Sequence, residues 1–125
     1  MYERRSTRKM FISICKSKIA HATVTEAQLY YEGSITIDQN ILKIVDILPG
    51  EKVEVLNLNN GSRIETYVIA GKSGSGEICL NGPAARSGAI GDKLIILSYA
   101  LVEQSKAKKM KTKVVYLDER NRKRK

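Results

Sequence analysis

The chain has 125 residues, of which 42% are hydrophobic and 28% charged, and its formal net charge is +9. This length allows one domain over residues 1–125, with enough apolar residues for a core that needs no disulfide bonds. No apolar run approaches the ~20 residues that span a bilayer, and the run after the basic start is interrupted too early for a secretory leader, so we expect a cytoplasmic protein with no membrane partner.

The positive charge is concentrated at the two ends of the chain. Residues 106–125 carry ten basic and two acidic side chains, and residues 1–9 carry four basic and one acidic, whereas eight basic and ten acidic residues lie between them. A nucleic-acid-binding domain usually carries its basic patch on the folded body, with aromatic residues for stacking. The placement argues against nucleic acid as a partner. It predicts flexible basic ends, 1–9 and 119–125, that solubilise the chain or bind a polyanion weakly.

The first half of the chain is predicted to contain strands over 10–14, 19–25 and 34–37, a helical turn over 26–29 and a helix over 39–45. The strands are indicated by β-branched and apolar residues that alternate in part with polar ones. Thr25 and Asp38 are residue types that cap helices, and each directly precedes one of the two helical segments.

The second half is predicted to contain strands over 52–58, 63–70, 77–80 and 93–102, with a last strand or arm over 114–117. The sequence Asn59-Asn60-Gly61-Ser62 lies between two alternating runs and predicts a β-hairpin. A glycine-rich loop over 71–76 and a turn over 81–83 separate the strands that follow. Many short strands divided by turns predict an all-β barrel with one or two short helices.

The residues present exclude several kinds of catalytic site. A single histidine, His21, cannot form a metal cluster, and Cys15 and Cys79 are too far apart for a zinc motif, so we expect no metal. Both cysteines lie in apolar runs, which favours buried free thiols and a reducing compartment. Gly-Ser steps occur at 33–34, 61–62 and 74–75, and each alone is typical of a turn.

Four segments occur in an order that one known family shares. They are 18–38, with Tyr-x-Gly-Ser at 31–34; 59–63, followed by Glu65-Thr66-Tyr67; 81–85, which begins Asn-Gly; and Ile90-Gly91-Asp92. In this order they resemble the pyruvoyl-dependent aspartate 1-decarboxylases. The resemblance covers roughly residues 10–118 and leaves the basic ends outside it.

The resemblance implies a double-psi β-barrel that assembles as a homotetramer, with active sites at subunit interfaces. It implies a carbon–carbon lyase that converts L-aspartate to β-alanine and CO2, supplying β-alanine for pantothenate and coenzyme A biosynthesis. Such chains cut themselves, here between Gly33 and Ser34, into a β chain, 1–33, and an α chain, 34–125. Decarboxylation needs an electron sink, and in this family it is a covalent pyruvoyl group derived from the serine, which forms a Schiff base with the substrate.

The matching motif positions imply roles for individual residues. Gly33, Ser34 and Thr66 match the processing site, where the threonine assists self-cleavage, and Tyr67 matches the catalytic proton donor. The remaining matches are Arg63 and Lys18 for the substrate carboxylates, Asn81, Gly82 and Ala84 for the turn lining the pyruvoyl pocket, and Tyr31 beside the processing site. A guanidinium fork suits the bidentate binding of a carboxylate.

The chain departs from the family pattern at three positions. Many members have histidine where this chain has Ala20, and the neighbouring His21 should point to the opposite face of a strand and so not replace it. Leu56 stands where some members have tryptophan. Pro83 stands where alanine is common, and proline has no backbone N–H to donate.

Two other hypotheses remain open. The chain could be a small β-barrel binding protein whose basic ends contact a polyanion, in which case added salt would weaken binding steeply. It could also be a relative that folds without cutting itself, and Ala20 is the observation that favours this. The sequence leaves open whether cleavage is unaided or needs a maturation factor, and how strictly aspartate is preferred over glutamate.

Overall fold

The structure, a computed structural model, describes residues 8–125. These residues form eight strands: β1 (Phe11–Thr23), β2 (Glu26–Gln28), β3 (Ser34–Asp38), β4 (Lys52–Asn57), β5 (Arg63–Gly71), β6 (Ile78–Asn81), β7 (Lys93–Glu103) and β8 (Lys113–Tyr116). The helices are α1 (Gln39–Val45), α2 (Gln104–Ala107) and a 3-10 helix (Gly82–Ser87). This content confirms an all-β fold with short helices. Within 8–125, no helix combines the length and apolarity needed to cross a membrane.

The strands form one sheet in the order β2-β6-β3-β5-β4-β7-β1-β8. β3 pairs in parallel with β5 and antiparallel with β6, and β1 lies between β7 and β8. β4 and β5 form the predicted hairpin, whose register pairs Lys52 with Tyr67 and Leu56 with Arg63. The parallel pairing of β3 with β5 requires a crossover connection, which α1 and β4 supply.

The core is formed by inward-facing residues of most strands, including Ile19, Ile35, Ile37, Val53, Val55, Val68, Leu94 and Ile96. On β4 and β7 buried residues alternate with partly exposed ones, as expected for strands with one face on a core. β6 is buried along its whole length, and β3 is buried at every residue except the partly exposed Thr36. These two strands are therefore covered on both faces, and any polar side chain on them must find its partners inside the protein.

Asp38 ends β3 and caps α1, as the sequence predicts. Its Oδ1 accepts hydrogen bonds from the N–H groups of Asn40, at 2.8 Å, and Gly74, at 3.0 Å, while its Oδ2 accepts one from Gly76 at 2.8 Å. Gly76 has φ of +72°, and a Cβ there would lie 2.7 Å from the backbone oxygen of Arg120. The glycine-rich loop is thus wrapped around a buried carboxylate at a place where only glycine fits.

The prediction of a helical turn over 26–29 is wrong, because Glu26–Gln28 forms β2. This segment pairs in parallel with Cys79, Leu80 and Asn81 of β6. The Thr25 hydroxyl, expected to cap a helix, instead donates to the Ile78 carbonyl at 3.1 Å and accepts from the Ile78 N–H at 2.9 Å. Long-range strand pairing overrides a weak local preference for helix.

The C-terminal segment is held against the sheet by Asn121, which differs from the expected flexible end at 119–125. Asn121 is 2% exposed; its side chain accepts from the Thr23 N–H at 2.8 Å and donates to the carbonyls of Thr23, at 2.9 Å, and Gly76, at 2.8 Å. The basic side chains around it remain exposed. Most of the expected N-terminal flexible end, residues 1–7, lies outside the described residues.

Glu51 is a partly buried carboxylate that ties the loop before β4 to β1 and β7. It accepts hydrogen bonds from the Ser98 hydroxyl, from the Leu48 N–H at 3.0 Å and from Lys16 Nζ at 3.0 Å. Burial acts to raise the pKa of Glu51, but these hydrogen bonds together outweigh it and hold the pKa below its ordinary value.

This lowered pKa predicts a pH-dependent contribution to stability. The ionised carboxylate stabilises the folded state above the pKa of the unfolded chain, and the contribution is lost as the pH falls through the folded pKa. We expect Glu51→Gln to lower the Tm near pH 7 by about 3–6 °C, the equivalent of roughly 1 kcal/mol. Circular dichroism melts should show the difference from wild type shrinking as the pH falls below about 4.5, the ordinary pKa of a glutamate side chain. The exposed Glu119→Gln is the matched control, and a constant Glu51→Gln difference would contradict the linkage.

Candidate active site

Ser34 begins β3 and is fully buried beside Asn81. The antiparallel register of β3 and β6 pairs these two residues directly. Asn81 Nδ2 donates hydrogen bonds to Ser34 Oγ at 2.8 Å and to Thr36 Oγ1 at 2.9 Å. Asn81 Oδ1 accepts a hydrogen bond from the Cys79 thiol, with 3.1 Å between sulfur and oxygen. The Ser34 hydroxyl is therefore fixed by a buried polar network rather than exposed to water.

The Cys79 thiol remains protonated at physiological pH. Burial is the main cause that raises its pKa to about 11, and the carboxylates of Glu26 and Glu77 add to the effect. These three side chains form a possible ligand set for a metal ion, with their ligand atoms within 4.8 Å of one another. A thiol must lose its proton to bind a metal, and here it is engaged as a hydrogen-bond donor.

Gly82 brings the turn after β6 into contact with the backbone before Ser34. Its φ is +64°, and a Cβ on Gly82 would collide with the Tyr31 carbonyl oxygen and lie 2.9 Å from Gly33 N and 3.0 Å from Gly33 Cα. The following Pro83 lies in the first turn of the 3-10 helix, and a Cβ on Gly33 would lie 3.5 Å from Pro83 Cδ. The peptide bond between Gly33 and Ser34 is thus held between a close-packed turn and a buried strand.

A cavity of about 500 Å³ adjoins this peptide bond. The parallel register pairs Ile35 with Val68, so residues 33–34 lie level with Thr66 and Tyr67 of β5. The cavity is lined by Gly33, Ile64, Glu65, Thr66, Tyr67, Pro83, Ala84 and Ser87. Strand pairing thereby gathers residues that are about 30 to 50 positions apart in the chain around one open space.

The tip of the β4–β5 hairpin fixes the 3-10 helix over this cavity. The Ser87 carbonyl accepts three hydrogen bonds, from Asn57 Nδ2 at 3.1 Å, from Asn60 Nδ2 at 2.9 Å and from Ser62 Oγ at 3.0 Å. Asn57 Nδ2 also donates to Asp92, and this bond, with one from the Ala89 N–H, lowers the pKa of Asp92.

Arg63 and Lys18 do not line the cavity. Arg63 is exposed and its Nη1 lies 3.2 Å from Glu54 Oε1, in an ion pair on the outer face of the hairpin. Lys18 lies on β1 opposite Leu97, three strands away from β5 in the sheet order. The chain therefore brings together the predicted residues Gly33, Ser34, Thr66, Tyr67, Asn81, Gly82 and Ala84, but not these two cations.

His21 does not line the cavity either. It lies at a β-bulge in β1, between Ala20 and Ala22, with φ of +65°, and its ring stacks on Tyr116 at a centroid distance of 6.3 Å. The structure places no imidazole at the cavity, since His21 is the one histidine of the sequence.

Sequence reasoning missed Thr36, Cys79 and Asn57. Thr36 and Cys79 lie on strands whose burial does not alternate, so their contacts with Asn81 leave no period in the sequence. For Asn57 the sequence contained a weak indication of a structural role, since an asparagine just before a turn often forms hydrogen bonds with nearby backbone groups. Its bond to Ser87, 30 residues away, depends on the folded sheet.

A family model described as aspartate decarboxylase matches residues 10–124. The chain is 56% identical over 107 residues to the aspartate 1-decarboxylase of Thermoanaerobacter pseudethanolicus, covering 86% of this chain and 92% of that protein. It is 58% identical over 113 residues to the aspartate 1-decarboxylase of Carboxydothermus hydrogenoformans, covering 90% and 89%. The crystal structure of a rationally designed protein, mkDPBB_sym_86, superposes with a TM-score of 0.48 at 16% identity, over 63% of this chain and 92% of that one.

The contact between Gly82 and the Gly33 backbone can be tested with two matched glycine variants. Gly61 has φ of +76°, and a Cβ added there would meet nothing within 4 Å, so Gly61→Ala measures the cost of positive φ alone. We expect that cost to be about 1 kcal/mol in the free energy of unfolding. Gly82→Ala should cost at least about 2 kcal/mol more, because the methyl group displaces backbone. Urea denaturation of both variants measures the difference in the free energy of unfolding. Equal losses in the two variants would show that the turn shifts without cost to accommodate the methyl group.

Proposed function

Because this chain belongs to the aspartate decarboxylase family, we propose that it decarboxylates L-aspartate to β-alanine on a pyruvoyl group made from its own Ser34. The chain has the double-psi β-barrel fold that its resemblance to this family implies. The β-alanine would serve pantothenate and coenzyme A biosynthesis. The protein would act in the cytoplasm, where its two free thiols stay reduced.

The observation that carries this proposal is the buried Ser34 hydroxyl held by Asn81 next to a constrained Gly33. Self-cleavage requires Ser34 Oγ to attack the Gly33 carbonyl carbon, and a fixed rotamer lowers the entropy cost of that approach. Gly33 has no Cβ to obstruct the attack. The 2.8 Å bond from Asn81 Nδ2 occupies one lone pair of Oγ and leaves another for the new bond.

The cleavage reaction balances without a further reactant other than water. Attack by Oγ converts the peptide bond to an ester and frees the Ser34 nitrogen as an amine. β-Elimination then releases the 33-residue chain as a carboxylate and leaves dehydroalanine at position 34. Hydrolysis of dehydroalanine releases ammonia and leaves the pyruvoyl group. Thr66 lines the same cavity as Gly33, where its hydroxyl can assist at the carbonyl under attack.

The surroundings of Ser34 fit such a group. When formed, the pyruvoyl group supplies a carbonyl that binds the substrate amine and draws off the electrons left by CO2. The close approach of Gly82 to Gly33 shows that the turn has no room for a side chain next to this terminus. Asn81 offers an N–H donor, and Ala84 presents a small side chain to the cavity.

Tyr67 and the two cations supply the substrate-directed roles. Tyr67 lines the cavity and is 41% exposed, so its hydroxyl can deliver a proton to the substrate carbon after CO2 leaves. Arg63 would bind one carboxylate of aspartate in place of Glu54, and Lys18 would bind the other. Since both cations lie outside the cavity of their own chain, the site is completed most simply by a neighbouring copy. This supports active sites at subunit interfaces, and the number of subunits we propose, four, is the one that the family resemblance implies.

Intact mass spectrometry under denaturing conditions tests self-cleavage directly. We expect purified wild-type protein to give two fragments split between Gly33 and Ser34, a 33-residue chain and a 92-residue chain whose terminus borohydride reduces. Ser34→Ala removes the attacking oxygen and should remain one chain. Ser75→Ala, which changes another Gly-Ser step at a position that does not line the cavity, should be cut like wild type.

An uncut wild-type chain after prolonged warm incubation would contradict unaided cleavage. Adding extract from cells that make the protein would then show whether a maturation factor is required. A chain that stays uncut there too would favour the hypothesis of a polyanion-binding protein. Exposed basic side chains of 106–125 are the surface such binding would use, with affinity falling steeply as salt is added.

Steady-state kinetics on fully cleaved protein tests the substrate-directed residues. Arg63→Lys keeps the charge but loses the fork, and we expect KM for aspartate to rise about tenfold or more. Tyr67→Phe removes the proton donor, and we expect kcat to fall at least about a hundredfold with little change in KM. Arg120→Lys and Tyr116→Phe, at exposed positions that do not line the cavity, are the controls. The reverse pattern, with kcat lost in Arg63→Lys and KM raised in Tyr67→Phe, would overturn these assignments.

A further inference from the structure

We propose that Cys79 is a positioning residue for self-cleavage, whose thiol orients the Asn81 amide so that its nitrogen, not its oxygen, faces Ser34. The inference rests on the proposed function, because the reaction it affects is the cut between Gly33 and Ser34. Cys79 contacts neither the scissile bond nor the cavity, and it acts through Asn81 alone.

Two hydrogen bonds link Cys79 to Ser34 through the Asn81 amide. The Cys79 thiol donates to Asn81 Oδ1 at 3.1 Å, and Asn81 Nδ2 donates to Ser34 Oγ at 2.8 Å. The second hydrogen of the same Nδ2 goes to Thr36 Oγ1 at 2.9 Å. Cys79 is opposite Thr36 in the register of β3 and β6, so the backbone itself brings these four side chains together.

The amide of an asparagine has two orientations of nearly the same shape, and here they have different chemical consequences. In the observed orientation Ser34 Oγ accepts a hydrogen bond, and its own hydrogen stays free to leave as Oγ attacks. In the flipped orientation Asn81 Oδ1 would face Ser34 and Thr36. Both hydroxyls would then donate to that oxygen, and the Ser34 hydrogen would be held at the amide.

Cys79 decides between the two orientations because it is a donor and a poor acceptor. A protonated thiol meets the amide oxygen favourably, whereas sulfur is a weak acceptor for an amide N–H. Two other oxygens compete for the thiol hydrogen, Glu26 Oε2 at 3.7 Å and the Leu80 carbonyl at 3.9 Å, but both are farther than Asn81 Oδ1. The raised pKa keeps the thiol protonated, so the donor is present throughout the physiological range.

Removing the thiol would favour the unproductive orientation. With the thiol gone, the amide has lost its donor on that side, and the Glu26 carboxylate, whose Oε2 lies 3.7 Å from the Cys79 sulfur, only accepts hydrogen bonds. It would attract the amide nitrogen away from Ser34. The serine side chain would lose its donor and gain an acceptor at the same time.

The test compares the rate of self-cleavage in wild type and three variants. Intact mass measurements follow the cleavage from the time that newly made full-length chain first appears. Cys79→Ala should slow the cut at least about fivefold, because it removes the donor. Cys79→Ser keeps a donor and should remain within about threefold of wild type. Cys15→Ala removes the other free thiol, whose one hydrogen bond within residues 8–125 goes to the nearby Ser17 carbonyl, and should not change the rate.

Melting temperatures in a Ser34→Ala background, in which no chain is cut, separate orientation from packing. If Cys79→Ala does not fold there, Cys79→Val, which fills the space without a donor, takes its place with the same expectation. The inference is overturned if Cys79→Ala is cut as fast as wild type, or if Cys79→Ser is as slow as Cys79→Ala. If wild type itself is never cut at Gly33, the proposed function fails and the inference fails with it.

Discussion

The pairing of β3 with β6 is the constraint on which the candidate site depends. Both strands are covered on both faces, so the Ser34 hydroxyl can be satisfied only by protein groups. The antiparallel register meets this need by placing Asn81 opposite Ser34, and the next residue, Gly82, then comes against Gly33. A slip of one residue in this pairing would turn Asn81 to the other face and move the glycine away from the contact.

The far end of β3 uses the same kind of interaction for a different purpose. There the buried carboxylate of Asp38 gathers N–H groups from α1 and from the glycine-rich loop. A strand of five residues is thus fixed at both ends by internal hydrogen bonds, and its middle is packed in the core. Tyr31 and Glu32, just before Gly33, are exposed. The peptide bond of interest therefore joins a strand fixed at both ends to a segment whose side chains are exposed but whose backbone packs against Gly82.

Much of the fold was predictable because several of its elements depend on residues that are close together in the sequence. The hairpin around Gly61 and the cap at Asp38 each follow from a few neighbouring residues, and both are confirmed. The segment Glu26–Gln28 was mistaken for a helical turn because its partner strand lies some 50 residues away. The contact of Cys79 with Asn81 was also not predicted. Spacing in the sequence does not indicate which side chains lie next to each other on two buried strands. The family resemblance identified the candidate site residues, whereas their contacts with neighbouring side chains became visible only in the folded structure.

The position of β1 determines what a cut after Gly33 would leave behind. β1 is the longest strand, it lies between β7 and β8, and the C-terminal Asn121 bonds to its last residue, Thr23. Severing the backbone would therefore release nothing, and the molecule would become a two-chain complex whose interface is its own hydrophobic core. The order of events then matters. An intact chain closes this core as a unimolecular step, whereas two separated pieces would have to find each other at a rate set by their concentration. After cleavage, the lifetime of such a protein would depend on how slowly it unfolds. The uncut precursor would be the form that folds efficiently, because its two parts are still joined.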